Sequence, residues 1–459
     1  LLEKKSHFSF NNQNIKMVVE YVIKVDSAVE TNTEPRKQPD KPSRQRIFLV
    51  VILFLAVSIA YLDRVNVSVI GADGKFLADM GIAGKPVEVG LIMTAFLAAY
   101  AIANVVLSPL GEYLGPRKAM VLSYVIMCVA LFIGGIAGSF TILIVSRILL
   151  GVGEGIYYPV QNAFVKNWFP PKERGRANSA WTIGQSLSPA AAMPIFTFLV
   201  AAESWRSTFY FSLVMSIIPL FLFWFFTADL PRKHKKVNEL ELRYIEEELA
   251  KEKRDRNETS FVKEPLWERV KVFALDYRFW LLLLTLATNS IISWGLTTWL
   301  PTYLNHQRGF SWAAMGWLAS LPFILGILFK VIAGFIIDHT GRNAPVIVYS
   351  ALLTAGGVFF GTISGNNYLA ALLIAFGIGA SSMQIPAIFT LLQGVVPSKS
   401  ITTATGALNG IAVGFGALAP VLIGYSISLT GNFNFALYLL IAIVLAGGGL
   451  AGILALKKL

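Results

Sequence analysis

Residues 47–69 read "IFLVVILFLAVSIAYLDRVNVSV". Sixteen residues without a charge, 47–62, run straight into Asp63 and Arg64. The stretch has the ~20 apolar residues that a membrane-spanning helix needs. An acid and a base side by side near its end are costly there, at least ~2.5–3.5 kcal/mol for each charge at a helix centre. The stretch therefore predicts a spanning helix that carries charges for a purpose.

The rest of the chain has the same character. Its 459 residues are 55% hydrophobic and 14% charged, where a soluble globular protein carries about 25% charged residues. Mean hydropathy is +0.61. This composition argues against a soluble multidomain enzyme. One cysteine, Cys128, excludes an internal disulfide, and His7, His234, His306 and His339 are too scattered for a metal cluster. No nucleotide-binding glycine loop with lysine is present, which disfavours ATP-driven transport. The expectation is no enzyme activity, no metal and no cofactor.

Twelve apolar segments can be counted. The first six are roughly 47–70, 88–111, 118–138, 140–165, 176–201 and 207–227. The second six are roughly 279–304, 312–337, 344–364, 367–396, 402–429 and 433–456. The predicted organisation is a cytoplasmic tail (1–45), a six-helix bundle (46–227), a cytoplasmic linker (228–278) and a second six-helix bundle (279–457). The tail lacks the layout of a cleaved signal peptide. The linker contains "NELELRYIEEELAKEKRDR", whose mixed charges read as a solvated helix joining two domains.

Charge placement sets the expected orientation. With the N-terminus inside, the outer loops hold Lys75, Lys85, Arg206 and Arg308, and the helices hold Arg64, Arg147 and Lys330. That leaves 32 of the 39 basic residues on the inner side, as the positive-inside rule requires. Both termini are then cytoplasmic, in the cell's inner (plasma) membrane. The net charge of +12 is a topology signal rather than a nucleic-acid patch.

The halves also repeat. "SPLGEYLGPR" (108–117) follows segment 2, and "GFIIDHTGR" (334–342) follows segment 8. Glu112 and Gly115 match Asp338 and Gly341 at one spacing, with Arg117 and Arg342 behind them and Gly334 leading the second copy. The acid is suited to cap a helix N-terminus and the glycine to reverse the chain tightly. Such loops are candidate conformational switches.

Six plus six helices, a long central loop and this acid–glycine–basic turn resemble the major facilitator superfamily over about residues 45–457. The first copy departs from the pattern at Ser108 and Glu112. "YLDR" in helix 1, "RILLGVGEGIYYPVQNAFVKNWFPPKERGRA" in helix 4 and its loop, and "SWR" before helix 6 are similar to the anion:cation symporter branch. That branch includes bacterial carriers of galactonate, glucarate and hexuronates, and animal sialin and vesicular glutamate transporters. The resemblance implies an all-α integral membrane fold of two six-helix bundles and a proton-coupled symporter working by alternating access. A sugar acid is the implied substrate. The missing helix 7 arginine weighs against glutamate, and helix 10 lacks a tryptophan expected in several sugar-acid carriers.

Asp63, Arg64, Arg147 and Glu154 are the charges inside the first half. At 1.5 Å per residue, Asp63 lies about 24 Å from the inner end of helix 1 and Arg147 about 10 Å from the outer end of helix 4. In a ~30 Å core their depths are similar, which allows an Asp63–Arg147 ion pair. Glu154 follows Arg147 by two turns, on the same face, and looks underpaired. A carboxylate without a full partner in low dielectric is suited to bind and release protons. Arg64 has the planar fork that grips a carboxylate. The resemblance implies the same: Arg64 for substrate, and Asp63, Glu154 and Arg147 for proton coupling. The competing reading is a static salt-bridge network tying helices 1 and 4.

Tyr61, Tyr100, Asn104 and Gln185, with Ser381, Gln384 and Asn409 from the second half, are candidates to bond substrate hydroxyls; each could instead be packing glue. Lys330, four residues before Gly334, is expected to snorkel to the inner surface. The expected partners are a small organic anion, protons and the bilayer, with no nucleic acid, for a monomer. The alternatives are a carrier of a non-sugar carboxylate, such as an aromatic acid, or a channel.

Overall fold

Twelve helices long and apolar enough to cross a membrane are present among the described residues. The computed structural model describes residues 41–107, 110–255, 266–397 and 400–456. The first six spans are α1 (Gln45–Ile70), α2 (Pro86–Val106), α3 (Pro116–Gly135), α4 (Phe140–Trp168), α5 (Pro171–Ala202) and α6 (Trp205–Phe226). The second six are α7 (Tyr277–Thr302), α8 (Trp312–Thr340), α9 (Ala344–Ile363), α10 (Asn367–Val395), α11 (Ile401–Thr430) and α12 (Asn434–Leu456).

Local chemistry sets the ends. Pro86, Pro116, Pro171 and Pro345 stand in the first turn of α2, α3, α5 and α9, where a missing N–H costs nothing. Ser139, Ser311 and Asn366 accept from backbone N–H groups at the starts of α4, α8 and α10. α4 and α8 each run three residues past the segments read from hydropathy, and α5 begins five residues earlier. Charged residues end a hydropathy window but not a helix. The tenth segment is two helices, Asn367–Ser381 and Gln384–Val395, joined by a turn at Ser382–Met383.

The bundles repeat each other's packing. α1 lies on α5 as α7 lies on α11; α2 on α4 as α8 on α10; α3 on α6 as α9 on α12. Between the bundles α2 meets α11, α5 meets α8, and α1 meets α7. The helix Glu239–Asp255 of the linker docks against the start of α1 and α5, so the molecule has a linker side and a far side. On the far side the bundles close tightly. A Cβ on Gly90 or Gly424 would overlap the carbonyls of Pro420 and Pro86 respectively. His306 Nε2 also lies 2.9 Å from the carbonyl oxygen of Ala72.

The linker helix is more than a solvated spacer. Glu241 is fully buried. It accepts from Ser43 Oγ (2.6 Å), the backbone N–H groups of Gln45 and Arg46, and Arg46 Nη1. A carboxylate thus caps α1 from the middle of the chain, where the helix dipole favours it. Arg46 also reaches Glu173 on α5 at 2.9 Å.

In the repeated turns, Gly115 (φ 81°) and Gly341 (φ 64°) both adopt the left-handed backbone that favours glycine. The side chains of Glu112 and Asp338, and Ser108, lie outside the described residues. The acid that caps α3 is Asp229, three residues beyond the end of α6, which accepts from Arg117 N at 2.9 Å. Arg117 Nη2 donates to the Trp224 carbonyl. Gly334 and Arg342 sit at the linker-side end of α8 and just beyond it.

Candidate functional site

The sequence "GVGEG" (151–155) decides how α4 sits. A Cβ on Gly151 or Gly155 would collide with α2 around Phe96, Ala99, Tyr100 and Ala103. Two bare faces one turn apart bring the α4 backbone against α2, and Glu154 between them enters the bundle. Ser123 Oγ donates to the Gly153 carbonyl at 2.7 Å and anchors the same turn to α3. Tyr124 OH, also on α3, donates to the Ala56 carbonyl on α1 at 2.7 Å.

Asp63 and Arg64 are neighbours on α1 and so point about 100° apart. Arg64 faces the second bundle. Its guanidinium lies 4.1 Å from the Tyr61 ring centroid, 4.6 Å from Tyr100, 5.8 Å from Phe96, and 5.6 Å from Trp294 of α7. These distances are within the range of cation–π attraction. Its Nε donates to Glu154 Oε2 at 2.7 Å, and both side chains are almost fully buried.

Asp63 faces the other way, into its own bundle. It lies beside Ser212 of α6 and within electrostatic reach of Arg147 and Glu154. The Asp63–Arg147 ion pair read from depth does not form. Both carboxylate oxygens of Asp63, and Nε and Nη2 of Arg147, are buried without hydrogen-bond partners. The Arg147 guanidinium packs 4.7 Å from the Phe209 ring centroid instead. Glu154, expected to be underpaired, holds the ion pair, with Oε1 left unsatisfied. Similar depth was legible in the sequence. The azimuth of each side chain depends on the glycine contacts of α4.

The other candidates are distributed unevenly. Tyr61 and Tyr100 flank Arg64. Asn104 is half-buried one turn beyond Tyr100 with its amide nitrogen unpartnered. Gln185 lies against Tyr158, which is within electrostatic reach of Tyr100 and Arg64. Ser381 and Gln384 flank the break in α10, and Asn289 Nδ2 of α7 donates to the Ser381 carbonyl at 2.8 Å. Irregular backbone at membrane depth is tolerated where protein or a cavity satisfies it. Asn409 is half-buried on α11. Among the described residues, no hydrogen bond or ion pair joins Ser381, Gln384 or Asn409 to the charged cluster.

Sequence reasoning passed over Trp294, Phe96, Tyr158 and Ser212, which carry no charge to mark them. It also misplaced Lys330. That side chain is half-buried, and Nζ donates to Ser186 Oγ of α5, in the opposite bundle, at 2.9 Å. Among the described residues, His234, His306, His339 and Cys128 form no group with nearby acids that could hold a metal ion; His7 lies outside them.

The sequence profile of the Major Facilitator Superfamily matches residues 53–420 and 312–458. The chain belongs to the Major Facilitator Superfamily. As a member it is a multi-pass membrane transporter and not an enzyme. It is 28% identical to a probable sulfoacetate transporter of Cupriavidus necator, over 91% of this chain and 94% of that one. It is also 28% identical to a probable galactarate/D-glucarate transporter of Bacillus subtilis, over 86% and 89%. The superfamily fold is seen again in a bacterial homologue of the human lysosomal transporter Spinster. That structure matches with a TM-score of 0.74 at 14% identity, covering 90% of this chain and 97% of that one.

Proposed function

We propose that the chain is a proton-coupled symporter that imports a small organic anion, a sugar acid, by alternating access. The observation that carries this is the buried Arg64–Glu154 pair, caged by Tyr61 and Tyr100 and facing Trp294 of the opposite bundle. A guanidinium at a bundle interface is a docking point for a carboxylate, and the surrounding rings suit the carbon face of a sugar chain. The names of its relatives, which include carriers of galactarate, glucarate, hexuronate and galactonate, support the same class.

The four charges also supply a route to coupling. With all ionised, Asp63, Arg64, Arg147 and Glu154 sum to zero. An incoming carboxylate that takes Arg64 displaces Glu154, which is then a buried acid without a counter-ion. A proton on Glu154 restores neutrality. Asp63 and Arg147, next in reach, extend the same balance into the first bundle. The two bundles would rock about this site. With the termini and linker cytoplasmic, in the orientation that basic residues favour, closure of the far side is an inward-facing arrangement in the inner (plasma) membrane, with the chain working as a monomer.

The test is uptake of labelled glucarate and galactonate into proteoliposomes. An inward proton gradient should drive accumulation, and sodium should not matter. Sodium-dependent uptake without a pH effect would sink the proton reading. No saturable uptake of any sugar acid would remove the substrate class.

A further inference from the structure

Apart from Arg278, which is paired with Asp276 in the first turn of α7, Lys330 is the one Lys or Arg within the spans of the second bundle, between Arg308 in the far-side loop and Arg342 beyond the end of α8. α7, α9, α10, α11 and α12 contain no acid, and the one acid of α8, Asp338, stands two turns away at its end. The partner found for the amine is a neutral hydroxyl, Ser186 Oγ, across the bundle interface. A cation at membrane depth without a counter-ion is costly and marks an ion pathway more often than a structural contact.

Its position relative to Arg64 is informative. Ser188, two residues from Ser186, donates to the Ser58 carbonyl, and Ser58 precedes Arg64 by six residues, about 9 Å along α1. Side chains lean toward the N-terminus of their own helix. Arg64 therefore leans back toward the linker side, as its contact with the Tyr61 ring confirms. Lys330 stands on a helix of opposite direction and leans toward the far side. The two cations converge from opposite bundles, with Tyr100, Tyr158 and Gln185 forming a polar wall between them on the first bundle.

From this we infer that Lys330 is a second anion-binding group, and that the substrate carries two acidic groups, one at each end of a short polar chain. The inference rests on the sugar-acid reading above and narrows it to diacids. Arg64 takes one carboxylate and Lys330 the other, with Ser186 holding the ammonium in place while the site is empty. A ligand held at both ends by opposite bundles also couples its own binding to their approach, since one bundle alone supplies one of the two contacts.

The test is binding of D-glucarate and D-gluconate to the purified full-length chain at pH 7. Both have six carbons and differ in whether the last is a carboxylate or a hydroxymethyl group; their carboxyls are fully ionised at that pH. The wild type should bind glucarate at least about tenfold tighter than gluconate, the scale of one charge-assisted contact. In Lys330→Gln that ratio should fall close to one, and Lys330→Arg, which keeps the cation, should restore most of it. A wild type that binds gluconate as tightly as glucarate overturns the inference, and needs no variant to fold. An unchanged ratio in Lys330→Gln overturns it too. A wild type that binds neither acid overturns the sugar-acid reading itself.

Discussion

Arg64 and Glu154 stand 2.7 Å apart, Nε to Oε2, and join α1 to α4 at the face that meets the second bundle. Asp63, next to Arg64 in the chain, takes no part in this pair and turns to Ser212 on α6. One dipeptide therefore serves two compartments. Arg64 addresses the space where the bundles meet, and Asp63 the interior of the first bundle. A buried ion pair roughly balances its own desolvation, so holding the helices together is a weak reason for it. A pair that opens to admit an anion has a stronger one.

Arg64→Ala should abolish sugar-acid binding. It also strands Glu154 as a buried acid without its cation, an expected loss of about 3–5 kcal/mol if the acid stays ionised. Thermal unfolding should show that loss. The double variant Arg64→Ala/Glu154→Gln should recover much of the stability and still not bind. A double variant that regains ligand-induced stabilisation would remove Arg64 from the binding site.

The linker gives a second expectation. Glu241 satisfies four donors at the start of α1, two of them backbone N–H groups. Glu241→Ala leaves those part-buried donors without their acceptor, so a loss of about 2–4 kcal/mol in unfolding free energy is expected, from unsatisfied groups costing roughly 1–3 kcal/mol each with partial rescue by water. Glu241→Gln should recover part of it. Substrate affinity should be unaffected, because Glu241 lies on the linker side, remote from Arg64. A thermal melt with and without glucarate reads both quantities.

The architecture was legible because spanning helices announce themselves by length and apolarity. The charged residues of the site were legible for the same reason, since a charge in an apolar run stands out. Which charge meets which was not. Arg147 and Glu154 differ by seven residues and share a face, yet α4's glycine contacts with α2 bring Glu154 to Arg64 and leave Arg147 against Phe209. Lys330 looked like a surface residue because it stands four residues before Gly334. α8, however, runs on to Thr340, ten residues beyond Lys330, and the amine meets Ser186 of the opposite bundle rather than the inner surface. Glu241 was unreadable for another reason: in a run of glutamates and lysines, nothing local distinguishes the one that docks.

Far-side closure can be tested through Gly424. Its missing Cβ makes room for the Pro86 carbonyl, a backbone atom that cannot swing aside. Gly424→Val should disfavour the far-side-closed state by about 1–3 kcal/mol, shifting the balance of the two states about 5- to 150-fold. A cysteine placed at Ala72, buried beside His306 in the closed state, would report this in a Cys128→Ser background. A far-side thiol reagent should label it faster in the valine variant. An unchanged rate would mean that α2 and α11 stay in contact there throughout the cycle.

Glu154→Gln should separate exchange from net transport. The amide keeps the size of the acid, and its oxygen can still accept from Arg64 Nε, so the geometry of the pair is retained while the charge is lost. Arg64 is then held less strongly, and sugar-acid affinity should equal or exceed that of the wild type with less dependence on pH. Labelled substrate inside proteoliposomes should exchange with unlabelled substrate outside, because exchange needs no proton to leave the carrier. Concentrative uptake should fail, since an empty carrier whose position 154 cannot ionise has no coupled step to complete. Asp63→Asn is a less clean comparison, because it removes the acid within reach of Arg147 and disturbs the interior of the bundle. If Glu154→Gln still accumulates substrate against its gradient when a proton gradient is applied, the coupling proton resides elsewhere, and Asp63 becomes the group to examine. If the variant loses binding altogether, Glu154 acts by positioning Arg64, and the four charges are a scaffold for the substrate rather than a proton relay.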